Sequence, residues 1–254
     1  MAIDQEWRNR MADKSGDNNA PKFPKYMVPI IAFNGNTGEF RLRGVDGDKY
    51  SKEETPIDKP VELVILKKRS AFATKLGANP ELFSSEFGSP LEKIALFTNM
   101  GRVSFEMSGT AAEIRAKYPE IKTKSILYCL YEGAVHKLEV KGASLTNLFV
   151  WQNSMREKDK HSFEVVTVVD AVKEKHETSK KTYFAMTFTD KPLTNTDGIE
   201  EAMDEVNAAI KKLEEYQASR NAAPSPVTTV IKSATDAEFD ALGAGEVNPD
   251  DIPF

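Results

Sequence analysis

The chain is expected to be mainly β with helical additions, and three observations carry that expectation. Short runs rich in Val, Ile, Tyr and Phe alternate with turns bearing Gly, Asn and Pro, two pairs of these runs have hairpin spacing, and one helical stripe falls between the two pairs. With 254 residues, 40% of them apolar, the chain can bury one substantial core, or a core with a smaller appendage.

Residues 1–25 are polar, carry Trp7 and Met11 at helical spacing and then meet Pro21 and Pro24, which reads as a short helix or a flexible lead-in. Order is expected from Tyr26: a strand to Phe33, a turn at Asn34–Gly38, and a return through Glu39–Arg43 that sends Phe40 and Leu42 to one side and Arg41 and Arg43 to the other. Gly44–Pro60 reads as a polar loop. Val61–Leu66 is a strongly apolar strand that runs on through Lys67, Lys68, Arg69 and Phe72 towards Lys75. Asn79–Pro90, with two prolines, reads as a long loop, and Leu91–Phe97 and Val103–Met107 as short strands. Thr110 is placed to cap a helix over Ala111–Lys117 that Pro119 ends.

The clearest hairpin pairs Ser125–Tyr131 with Ala134–Val140 across Glu132-Gly133. Ser144 is then placed to cap a helix whose stripe is Leu145, Leu148, Phe149, Gln152 and Met155. A second hairpin pairs Ser162–Lys173 with Lys180–Thr189. Strands, one helix, then two more strands is the order of the OB-fold, whose helix sits between its third and fourth strands. The expected body, 26–195, is therefore an elaborated, OB-fold-like five-stranded barrel built from Val61–Phe72 and the two hairpins.

A C-terminal helix is expected over 196–220, where Ile199, Met203, Val206, Ile210 and Leu213 recur at helical spacing. Docking on its own barrel is the default for this seam, with a second copy of the chain, a homo-oligomer, as the alternative. Residues 221–254 are rich in Ala, Ser, Thr, Pro and Gly and read as a disordered acidic tail. Of the 34 bases and 39 acids, one base (Lys232) and six acids lie in this arm, leaving 33 of each in the body. A neutral body beside a −5 arm excludes a uniformly basic packaging protein and suits a groove that binds an anion which the arm avoids.

The arm ends Asp250-Asp251-Ile252-Pro253-Phe254. These residues offer acids to a basic surface, a proline that limits φ, and an aromatic ring beside a carboxylate for a small pocket. The ending resembles the acidic tip of bacterial single-stranded DNA-binding proteins, which recruits replication, recombination and repair enzymes. The resemblance covers the tail alone. The body is longer than the single DNA-binding domain usual in that family, which fits a phage or mobile-element analogue carrying the bacterial type of tip. It implies a protein that binds and protects single-stranded DNA, is not an enzyme, takes no cofactor, and meets partner proteins through Asp250–Phe254.

Such a groove needs cations for phosphates and exposed rings for bases. The candidate cations are Arg41, Arg43, Lys67, Lys68, Arg69 and Lys75, with Lys137, Lys180 and Lys181 close to them in sequence. The candidate rings are Phe72, Tyr128, Tyr131, Trp151 and Tyr183. Two alternatives stand beside this reading: a recombination mediator or annealing protein that borrows the same tail, and a metal-dependent nuclease using Glu120, Glu139 and Lys141. No phosphate-binding loop of the ATPase type occurs, and His136, His161 and His176 lack zinc-site spacing with the lone cysteine, Cys129. One cysteine excludes an intrachain disulfide, and no apolar run is long enough to span a bilayer, so the expected setting is cytoplasmic with no membrane partner.

Overall fold

The structure is a computed structural model and describes residues 27–46, 49–74, 78, 81–99, 103–175 and 180–222. The lead-in 1–25, Lys75 and the arm beyond Ala222, with Asp250, Asp251, Ile252, Pro253 and Phe254, lie outside these residues.

The first hairpin forms as its turn residues dictate, with β1 (Ile30–Asn34) and β2 (Glu39–Asp46) in the register Ile30 to Arg43 through Asn34 to Glu39. Gly44–Pro60 is not a loop. It continues β2 and returns as β3 (Lys49–Ile57), whose alternation is polar on both sides because it forms an edge held by its ladder to β2 rather than by burial. β4 (Val61–Ala73) is the longest strand at 13 residues. Part of Asn79–Pro90, read as loop, is β5 (Glu81–Ser84), which pairs with β6 (Ile94–Asn99) and through it with β7 (Val103–Gly109).

Thr110 caps α1 (Ala111–Lys117) with a reciprocal capping box to Glu113, and Ala111 and Ile114 bury against Phe72, Leu82, Phe87, Ile94 and Leu96. β8 (Lys122–Tyr131) and β9 (Ala134–Val140) meet at Glu132-Gly133, both at positive φ as a two-residue hairpin turn requires.

α2 (Ala143–Glu157) starts from Gly142, so Ser144 does not cap it. Ser144 is buried, and its hydroxyl accepts the Met186 N–H at 2.9 Å. The buried stripe is Leu148, Trp151 and Met155, which leaves Phe149 exposed. β10 (Val165–Lys175) and β11 (Thr182–Pro192) form the second hairpin, and α3 (Ile199–Ala222) the last helix.

Neighbouring strands run β3-β2-β1-β9-β8-β4-β5-β6-β7, antiparallel except for β1 beside β9, while β10 pairs with the start of β4 and β11 with β10. Among the described residues the eleven-stranded sheet is not closed, which corrects the expectation of a five-stranded barrel: β1 occupies the edge of β9. One face packs Ile31, Phe40, Leu63, Ile65, Leu127 and Leu138 against α2 and the β10–β11 hairpin. Cys129 sits in this core, its thiol pushed up to about 12 by burial, which makes it inert as a nucleophile. On the opposite face α3 lays Ala202, Val206, Ala209 and Ile210 over Val64, Leu66, Ile126 and Tyr128, so the helix docks on its own sheet. Among the described residues no helix is long and apolar enough to cross a membrane.

The free side of β11 is tied to the β1–β2 turn, where the Phe184 N–H donates to Gly35 O at 2.7 Å. Gly38 of the same turn has φ of 73°, and a Cβ there would lie 2.6 Å from Phe184 Cδ1. Gly38→Ala is therefore expected to cost ~1–3 kcal/mol from the backbone alone, with more from displacing the ring. A urea unfolding midpoint equal to that of the wild type would contradict this packing.

Candidate nucleic-acid interface

Residues directly opposite one another in a ladder share a face of the sheet, so the register shows which side chains meet. One row across the α3-bearing face runs Glu54, Arg43, Ile30, Lys137, Tyr128 and Lys67, on β3, β2, β1, β9, β8 and β4. Two residues further along stand Pro56, Arg41 and Ala32 on one wing and Glu139, Ile126 and Arg69 on the other. A further row at the far end joins Lys122, Ala73, Phe83, Phe97 and Phe105 across β8, β4, β5, β6 and β7.

Six of the predicted residues, Arg41, Arg43, Lys67, Arg69, Tyr128 and Lys137, are thereby brought to one face. The other described candidates are not. Lys68 and Phe72 alternate to the other side of β4, Tyr131 packs against the α2 core with its ring edge-on to His136, and Trp151 lies inside that core beside Phe188. Lys180 and Lys181 are exposed at the start of the β11 arm, and the Tyr183 hydroxyl donates to Glu174 at 2.6 Å.

Phe72, Tyr128 and Trp151 are corrected as base-stacking rings. Their exposures of 0%, 1% and 5% leave no face for a base, because β4 and β8 are central strands covered on both sides and α2 turns Trp151 inward.

Most of the cations on this face already hold carboxylates. Arg43 pairs with Glu54 at 2.7 Å, Arg41 with Glu39 at 3.1 Å, Lys124 with Glu139 at 2.7 Å, and Arg69 with Glu214 of α3 at 2.9 Å. The most enclosed pair is Lys137 with Glu86 at 2.9 Å, where Glu86 also accepts the Tyr128 hydroxyl at 2.8 Å. Burial pulls the Lys137 ammonium down, but Glu86, Tyr128 and Tyr50 outweigh it and its value ends above that of an ordinary lysine. Burial also raises the Tyr128 phenol, so at neutral pH it is a neutral donor. This trio pins the β5–β6 connection onto the sheet and is a structural anchor rather than a phosphate grip.

Sequence reasoning missed the Phe83–Phe97–Phe105 ladder. Phe83 and Phe97 stack at 5.5 Å between centroids, Phe105 meets Phe97 edge-on at 6.2 Å, and Phe105 is 50% exposed at the open end. The alternation of Phe105 with Ser104 and Glu106 was the available signal. Lys122, in the same row, is exposed.

Of the nuclease candidates, Glu139 is taken up by Lys124, and Glu120 lies in the turn between α1 and β8. Among the described residues no three His, Cys, Asp or Glu side chains gather where they could hold a metal ion. Comparison of the chain with protein-family models, with curated proteins and with solved structures found no match.

Removing one partner of a buried ion pair costs ~3–5 kcal/mol because the other charge is stranded, so Glu86→Gln is expected to lower stability on that scale. Folding raises both the Lys137 and Tyr128 values, so their contribution is complete at neutral pH and falls as pH rises past the unfolded values, ~10 for Tyr and ~10.4 for Lys. Alkaline unfolding monitored by circular dichroism checks this. A Glu86→Gln protein as stable at pH 7 as the wild type would contradict it.

Proposed function

We propose that the chain binds single-stranded DNA along the α3-bearing face of its sheet and meets replication, recombination or repair proteins through Asp250–Phe254. The observation that carries the reading is the row Lys122, Ala73, Phe83, Phe97 and Phe105, a cation followed by a ladder of rings that ends in an exposed phenylalanine. The exposed Phe105 ring can take a base whatever its identity, with the buried Phe97 and half-buried Phe83 holding it in place from behind, and the cation takes the backbone. Arg41 and Arg43 extend the cationic side of the same face, at the cost of loosening their bonds to Glu39 and Glu54.

The strand order supports an OB-like origin for this face. β9, β8, β4, β10 and β11 stand side by side with α2 between the third and fourth in chain order, an order that supports reading these five strands as an OB-like set in which β1, and not β11, sits on β9. The DDIPF segment supports the recruiting half of the proposal by its resemblance to the bacterial tip. Engagement of Glu139 by Lys124 favours binding without cleavage over the nuclease reading.

Trp151 is buried, so its emission is a poor reporter, and fluorescence anisotropy of labelled oligo(dT) against a duplex of equal length is the better assay. The expected result is preference for the single strand without cleavage. Phe105→Ala should weaken binding by ~1–3 kcal/mol for one stacked base, and Lys122→Gln should flatten the salt dependence by ~0.7 in logarithmic slope. Equal affinity for duplex, or a Phe105→Ala protein that binds like the wild type, would overturn the assignment.

A further inference from the structure

The sheet forks along β4. On the edge facing away from β8, Val61 and Leu63 pair with β10, Ser70 bridges Phe87 and Ala73 pairs with Phe83, so among the described residues Val64–Arg69 has no strand partner on that edge. Ser162 Oγ reaches in to donate to Ile65 O at 3.1 Å, and the Arg69 guanidinium donates to Glu86 O at 2.9 Å. Lys67 and Lys68 stand at this fork, one for each face.

Their partners set them apart. Arg41, Arg43, Arg69, Lys124 and Lys137, the other buried or half-buried bases among the described residues, each have a carboxylate within 4.0 Å. The fork lysines are held by neutral amides: Lys67 Nζ donates to Asn207 Oδ1 of α3 at 2.7 Å and Lys68 Nζ to Gln152 Oε1 of α2 at 2.8 Å. An amide orients an ammonium without neutralising it, so both charges remain available to an anion.

On the α2 side the surroundings define the anion further. Phe149, Gln152 and Arg156 recur at three and four residues along α2 and so share one stripe, with the Lys68 ammonium 4.6 Å from the centre of the Phe149 ring. That ring is 44% exposed and its neighbour Val150 65%. Burial, and then the charge of Arg156, lower the Lys68 value.

We propose that this corner takes one nucleotide of a bound strand, the phosphate on Lys68 and Arg156 and the base against Phe149. It is a second contact, beyond the Phe105 row and on the other side of β4, and it rests on the reading that the chain binds nucleic acid. The strand backbone and a free nucleotide share this chemistry, and the proposal commits to the strand. A second contact makes affinity depend on length: an oligonucleotide long enough to reach both sides gains over one that fills the Phe105 row alone.

The test measures anisotropy of short and long oligo(dT) on the full chain, with dTMP and inorganic phosphate as competitors. Variants are Arg156→Gln, which alters an exposed side chain, Phe149→Ala, and the pair Lys68→Gln with Arg156→Gln, each checked by its melting curve. The long oligonucleotide is expected to lose roughly ten-fold in affinity with Phe149→Ala and at least as much with the double variant, whose salt slope falls by ~1.4. The short one should bind all variants like the wild type. Undiminished binding of the long oligonucleotide by Arg156→Gln and Phe149→Ala, while Phe105→Ala still weakens it, would overturn the second contact and leave the proposed function standing. Competition by dTMP at concentrations where inorganic phosphate has no effect, lost in Phe149→Ala without any change for long oligonucleotides, would assign the corner to a free nucleotide and overturn the strand contact. If no variant and no wild-type protein prefers single strands, the proposed function falls, and this contact with it.

Discussion

A single strand of 13 residues, Val61–Ala73, carries the ladders that hold the protein's parts together. From Val64 to Ala73, apart from a bulge at Leu66, it pairs with β8 on one edge, and the other edge is divided between the β10–β11 hairpin and the β5–β7 unit. Three hydrophobic clusters meet on it: Val61, Leu63 and Ile65 with α2, Val64, Leu66 and Ala71 with α3, and Phe72 with α1. A strand buried on both faces must be apolar at nearly every position, which is why VELVILKKRSAFA lacks the alternation of a half-exposed strand. Besides the exposed Glu62 and the bridging Ser70, the exceptions are Lys67, Lys68 and Arg69, three consecutive bases that fall where the edge is unpaired.

The electrostatics follow from the same constraint. A sheet this wide that is covered on one face by α2 and β10–β11 and partly covered on the other by α3 encloses charges that would otherwise be solvated, and Lys137, Arg69 and Lys124 are each met by an acid. Desolvation offsets much of the attraction in such pairs, but removing one partner leaves the other charge buried and uncompensated. On the proposed reading, a polyanion meets the periphery: Lys122 beside the phenylalanine ladder, the arginines of β2 in exchange for their bonds to glutamate, and the amide-held lysines of the fork. A body with equal numbers of acids and bases therefore still presents cations where the sheet is open.

Much of the architecture was legible in the sequence where local chemistry decides it. Glu132-Gly133 admits a tight hairpin, Thr110 and Glu113 form a capping box, and the Val206–Ile210 seam needs an apolar surface to cover. What was hidden depends on partners distant in sequence. KYSKEETPI has no apolar alternation, so β3 is recognisable only from the ladder that β2 offers it. Phe72 and Tyr128 look like exposed rings beside lysines, yet both sit on strands whose second face is covered by a helix, and sequence does not reveal that second cover. Ser144 has the character of a cap, but a hydroxyl inside the core is claimed by the unpaired Met186 N–H of β11. The candidate site was legible as a class of residue rather than as a place: the sequence singles out cations on β2 and β4 that share one face, while Phe105 and Lys122 come together only once β5, β6 and β7 are set in register.

Unpaired nucleic acid is proposed to lie on the open part of the α3-bearing face. Hydrogen–deuterium exchange of the full chain with and without oligo(dT) tests it most directly, because slowed exchange maps the contacted backbone without altering a residue. The expected result is protection concentrated in β5–β7 and in the Lys122 end of β8, with β10 unchanged. Protection confined to the β10–β11 hairpin, or no protection at all at saturating oligonucleotide, would contradict it.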